Sequence, residues 1–109
     1  MIGFRLTVLE AQRIVVLHAA LAPDADELAE LEAFLPALAR RGYARAVLDL
    51  SLAPPMDPRE AWSLRETARR LAEEKIRLAL VTAPEAEGAT AGLGLAVHAS
   101  LSDALLLAD

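Results

Sequence analysis

Apolar and polar positions follow two rhythms along the chain. Between Phe4 and Leu9 they alternate, so that Phe4, Leu6 and Val8 share one face, the period-two pattern of a strand. The next segment, Arg13 to His18, carries the unbroken run Ile14-Val15-Val16-Leu17. A β-branched run of that kind predicts a strand covered on both faces. The polar stretch Glu10-Ala11-Gln12 between the two predicts a hairpin turn, although it holds no glycine. The rhythm then changes to the helical one, with Leu28, Leu31, Leu35, Leu38 and Ala39 recurring at three- and four-residue spacing. Asp24 opens this helix with Glu27 three residues on, the spacing of a reciprocal capping box. Gly42 supplies its left-handed stop. Pro36 lies inside the pattern, removes one hydrogen bond and crowds the preceding turn. It predicts a kink between Glu32 and Pro36, not two separate helices.

The second half repeats the alternation of elements. Ala46 to Leu50 predicts a third strand, and Pro54-Pro55 an extended loop. Asp57-Pro58-Arg59-Glu60 combines a capping residue, a proline at the first helical position and a glutamate at the third. The helix it opens has a stripe of Ala61, Leu64, Ala68, Leu71 and Ala72, expected to be buried. Ile76 to Val81 predicts a fourth strand, Pro84 to Ala91 a short helix weakened by Gly88, Leu95 to Val97 a fifth strand, and Ser100 to Leu107 a last helix. Strands alternating with helices imply mostly parallel pairing through right-handed crossovers, with the first strand antiparallel to the second. The expectation is an α/β fold: a mixed, mostly parallel sheet of about five strands with about four helices, in a single domain over residues 1–109.

Composition narrows the chemistry. The 109 residues carry a net charge of -5, which gives no general attraction to nucleic acid or anionic membranes. No apolar stretch approaches the roughly 20 residues that span a bilayer, and no secretory leader pattern is present. A cytoplasmic protein is the expectation. There is no cysteine, which excludes disulfides and thiolate chemistry. His18 and His98 are far apart in sequence and do not suggest a metal site. Lys75 is the only lysine and asparagine is absent, a composition that suits a heat-stable protein. No cofactor is implied: Gly92-Leu93-Gly94 is too short for a dinucleotide fingerprint, and there is no phosphate-binding loop of the Walker type.

The most specific segment is Val47-Leu48-Asp49-Leu50-Ser51, followed after a short loop by Met56-Asp57 and a helix. Together with Ala91-Gly92-Leu93 and the terminal Val97-His98-Ala99-Ser100-Leu101-Ser102-Asp103-Ala104-Leu105, it resembles the STAS domain, the fold of the anti-sigma factor antagonists. The resemblance covers the chain from about Phe4 to Leu107. It implies a switch at the junction of loop and second helix, where a serine is phosphorylated by a partner kinase that is itself an anti-sigma factor. Phosphate there adds about -1.5 to -2 charges at a protein contact and disrupts binding. Carried over by position, the two serines of that motif fall on Pro58 and Arg59 and its glycine on Glu60; Asp57 alone matches. The resemblance thus implies a member without a switch at the usual site. Ser51 and Ser63 are the nearby hydroxyls. The acidic residue the family carries after the second strand is also missing, with Ala20-Leu21-Ala22 in its place.

Each candidate side chain has a structural role to set beside the functional one. Asp57 is a helix cap and a candidate partner contact. Asp49 lies in an apolar strand, and its expected role is a hydrogen bond to the following loop; the expectation is that no histidine or cysteine is near enough to build a nucleophilic triad. Arg59, Trp62, Arg65, Glu66 and Arg69 fall on the helix face away from Leu64 and Leu71. That face is either simply solvated or an interface, since tryptophan and arginine dominate binding hot spots. Trp62 could instead tuck beneath the Pro54-Pro55 loop. The resulting expectation is a non-catalytic module that binds a protein partner, such as an anti-sigma factor or a related regulatory complex, through Asp57, Arg59 and Trp62. The same features also suit a nucleotide- or lipid-sensing domain, or the STAS subunit of a lipid-transport ATPase, and allow a homodimer.

Overall fold

A computed structural model of the chain describes residues 4–82 and 96–98, the last three by their backbone. The elements follow the two rhythms closely. They are β1 (Arg5–Leu9), β2 (Ile14–His18), α1 (Ala25–Ala39), β3 (Arg45–Leu50), α2 (Pro58–Glu73), β4 (Arg77–Thr82) and a short β5 (Ala96–His98). Spatial order equals sequence order, β1-β2-β3-β4-β5. The hairpin makes β1 antiparallel to β2, and the remaining neighbours are parallel. The helices expected at Pro84 to Ala91 and after Ser100 lie outside the described residues.

The glycine-free hairpin closes by placing Arg13 in the left-handed region, with φ at 57°, while its N–H donates to the Glu10 carbonyl at 3.3 Å. An L-residue there is uncommon. Its guanidinium sits 5.3 Å from the centre of the Tyr43 ring, a favourable cation–π geometry that helps hold the turn.

Period-two alternation divides β2 between two apolar clusters. Val15 and Leu17 join Ala46, Leu48, Leu50, Leu78 and Leu80 on one face of the sheet. Against them pack Leu28, Leu31 and Leu35 from α1 and Ala61, Leu64, Ala68 and Leu71 from α2. Ile14 and Val16 join Val47, Ala79 and Val81 on the opposite face, with Leu9 packed beside them. The continuous apolar run of β2 is thus buried on both faces, as its sequence predicts.

Both helices open with full capping boxes, at Asp24/Glu27 and Asp57/Glu60. α1 runs unbroken through Pro36. It stops where expected: Gly42 has φ at 97°, its N–H donates to the Ala39 carbonyl and that of Tyr43 reaches the Leu38 carbonyl. These two bonds are the Schellman pattern. α2 ends the same way, Lys75 donating to Ala72 and Ile76 to Leu71, but without glycine: Lys75 itself takes φ at 64°. One position of the expected α2 stripe is corrected. Ala72 is exposed and Thr67 is buried instead. Thr67 can enter the α1–α2 seam because Glu32 accepts its hydroxyl at 3.2 Å, and Arg70 grips the same carboxylate.

Candidate functional site

The loop from β3 to α2 is pinned from beneath and open above. Ala53 donates to the Leu50 carbonyl at 3.0 Å, and Ala53 and Met56 are buried. Leu52, Pro54 and Pro55 between and beside them face solvent, Leu52 at 86% exposure. At the helix start Asp57 Oδ1 accepts from the Glu60 N–H at 2.7 Å, and Glu60 Oε1 accepts from the Asp57 N–H at 3.0 Å. Pro58 takes the first helical position, and Arg59 follows, exposed. One turn on, Trp62 is 59% exposed. It stands away from the buried stripe and is not tucked beneath the proline loop. Arg65 and Arg69 continue the same side, Arg69 paired with Glu66 and Glu73 of its own helix. Asp57, Arg59 and Trp62 are all exposed within about one and a half turns of the helix start that follows this loop. Ser51 is exposed in the turn after β3, and Ser63 is half-buried inside α2.

The neighbourhood of Asp49 differs from its expectation. Its Oδ1 does accept from the Ser51 N–H at 3.0 Å, as a strand-end aspartate should. But His18, 31 residues away, has its Nδ1 3.0 Å from Asp49 Oδ2. The parallel register places His18 directly beside Asp49, and the hairpin places Arg5 on the other side of His18. Thr7 Oγ1 lies 3.3 Å from His18 Nε2. An ionised carboxylate only accepts, so Nδ1 carries the proton and Nε2 faces the threonine hydroxyl. Burial pushes the Asp49 pKa up, yet hydrogen bonds from Ser51 and His18 outweigh it and leave the carboxyl below its ordinary value. The signal that sequence reading missed is the shared strand position: each residue directly follows a buried apolar run near the end of its strand.

The connectivity of hydroxyl, imidazole and carboxylate matches that of a nucleophilic triad, but each bond here also has a structural purpose. The pair ties the end of β2 to that of β3 and fixes the turn leading to α2. A cleft of about 500 Å³ opens beside it, lined by Phe4, Arg5, His18, Ala20, Asp49 and Leu52 among others. Among the described residues no group of three or more metal-ligating side chains converges, and no helix is long and apolar enough to cross a membrane.

No family model and no curated protein matches the sequence. Solved structures do match the fold. A candidate anti-sigma factor antagonist from Thermotoga maritima superposes with a TM-score of 0.69 over 96% of this chain and 93% of its own, at 14% identity. The anti-sigma factor antagonist SpoIIAA in its unphosphorylated form gives 0.64 over 94% of each chain, at 13% identity. The fold is that of the anti-sigma factor antagonists. At this identity the STAS likeness concerns the path of the chain, and the side chains at the α2 start must be judged on their own chemistry. There the STAS scaffold presents Pro58 and Arg59, neither of which carries a hydroxyl to accept phosphate.

Proposed function

We propose that the chain is a non-catalytic regulatory module that docks a protein partner at the start of α2, without a phosphoswitch at that site. The observation that carries this reading is Trp62, more than half exposed one turn beyond Arg59, on a helix that follows directly on the exposed Leu52, Pro54 and Pro55. A large aromatic and a fixed cation at one rim are the residue types that dominate interface energies. One of the two similar structures is an anti-sigma factor antagonist and the other a candidate one, which supports a protein partner of that regulatory kind. Asp57 holds the helix start in place and offers an exposed edge to the same surface. Because Arg59 is positive where the family motif would place a phosphate, it favours an acidic patch on the partner and does not imitate the phosphorylated state.

The test begins with affinity capture from the native cell and identification of the co-purified protein. Arg59→Glu and Trp62→Ala should each weaken that complex, Trp62→Ala by about 30-fold or more if the ring fills a pocket, a loss of about 2 kcal/mol. Circular dichroism should be unchanged. Arg40→Ala, at the end of α1, is the control. Binding that survives both α2 changes and fails with the control places the interface elsewhere. Incubation with the partner kinase and ATP should add no phosphate at residues 58 and 59; stoichiometric phosphate on Ser51 or Ser63 overturns the second half of the proposal.

A further inference from the structure

The outer edge of β1 carries an observation that the docking surface does not use. Among the described residues β1 ends the sheet, and its antiparallel partner β2 occupies one side only. An open edge presents a row of backbone donors and acceptors. Natural edges are commonly blunted by lysine, proline or a bulge. The stretch Arg5–Leu9 holds no lysine, proline or bulge, and its one charge, Arg5, stands at the strand start; its register with β2 is continuous over five residues. It also exposes two large apolar side chains, Leu6 at 47% and Val8 at 41%. They stand opposite Leu17 and Val15, which are fully buried, so the apolar layer beneath the helices continues outward to the edge and stops uncovered.

We propose that this edge pairs with the same edge of a second copy of the chain, antiparallel and centred on Thr7. Two properties of the strand select a second copy. The first is its pattern. A two-fold axis through the Thr7 pair sets Leu6 against Val8 of the partner and Val8 against Leu6 of the partner, so all four exposed apolar groups meet on one face. A shift of one residue is forbidden to a symmetric antiparallel pair, because facing residues must share a face of the sheet. A shift to a centre at Val8 sets Leu6 against Glu10, and a shift to Leu6 sets Val8 against Phe4, which is already packed against the core, so only the Thr7 centre pairs exposed apolar groups with one another. The second property is charge. β1 begins at Arg5 and is followed by Glu10, so an antiparallel partner brings each cation toward the other copy's anion, whereas a parallel partner brings like charges together. The product is a sheet continuous across two chains. A five-residue strand edge is a small interface, well below the roughly 1,200–2,000 Å² of stable complexes. The association is therefore weak and concentration-dependent, and it leaves the α2 surface free.

The absence of native cysteine makes the register testable. Sedimentation equilibrium from 10 µM to 1 mM, concentrations of the assay and chosen on the order of those where weak contacts form, should show a monomer–dimer equilibrium. Leu6→Lys and Val8→Lys should each shift it to monomer with circular dichroism unchanged. Thr7→Cys should oxidise to a disulfide dimer, because the two residues face each other at about 4.5–5.5 Å between Cα atoms. Arg5→Cys should crosslink at least ten-fold less: it faces Leu9 of the partner, about four residues, or roughly 13 Å, from its own equivalent. A chain that stays monomeric throughout overturns the proposal, including the case in which a strand of another protein takes the edge. So does a dimer that persists in the lysine variants, or one that crosslinks through Arg5→Cys as readily as through Thr7→Cys.

Discussion

Asp57 stands in two arguments, and its substitution separates them. Its carboxylate accepts the Glu60 N–H at 2.7 Å and lies in the first turn of a 16-residue helix, where a negative charge also favours the macrodipole. Asp57→Ala removes both. Capping residues replaced by alanine lose about 0.5–2 kcal/mol, typically about 1. The site is exposed, so water takes over part of the freed N–H, and the expected loss is about 1 kcal/mol. In a domain of this size that lowers Tm by about 4 °C. Asp57→Ser keeps an oxygen within reach of Glu60 N–H and gives up only the charge, so its loss is a few tenths of a kcal/mol. Urea denaturation measures both, with an unchanged m value confirming that the native and unfolded states are otherwise alike. The capping argument fails if alanine and serine cost the same, or if alanine costs less than about 0.3 kcal/mol. Because the box is reciprocal, Glu60→Ala combined with Asp57→Ala should fall short of the sum of the single losses. The serine variant then isolates the charge: loss of partner binding with stability retained assigns the carboxylate to the interface.

Three further outcomes are expected. Lys75→Gly should stabilise the fold by about 0.5–1 kcal/mol, since Lys75 holds φ at 64° at a helix stop that glycine adopts without strain; destabilisation in a urea titration refutes the strain. Leu64→Ala, at a fully buried position between α2 and the sheet, should cost about 2–5 kcal/mol, and a loss under about 1 shows that the seam is loosely packed. Asp49 has its folded pKa below the ordinary carboxylate value, so its contribution is present above the unfolded pKa of about 4 and is lost as pH falls through the folded value. The stability gap between the wild type and Asp49→Asn should accordingly narrow on acidification, and a gap independent of pH removes the hydrogen bonds from His18 and Ser51 as its source.

Much of the molecule is determined by the sequence acting locally. Both capping boxes are set within four residues, as is the stop at Gly42, and both formed where the spacing placed them. The doubly buried run of β2 is likewise readable, because a strand with no polar face has no stable place except inside. Local reading failed where the outcome depended on what lies across a gap. Ala72 and Thr67 fit the α2 stripe almost equally by spacing; in the fold the threonine is buried, its hydroxyl bonded to Glu32 of α1, and the alanine is exposed. Leu6 and Val8 have the alternation of a covered strand, yet β1 ends the sheet and leaves them open. His18 and Asp49 are 31 residues apart and meet because the parallel register sets the ends of β2 and β3 side by side. Helical spacing sets Trp62 on the face away from Leu64 and Leu71, but whether the Pro54-Pro55 loop covers it depends on the path of that loop, and the ring is left 59% exposed. Hydrogen bonds along the backbone span a few residues and can be read from spacing, whereas burial and cross-strand contact are properties of neighbours that only the assembled sheet supplies.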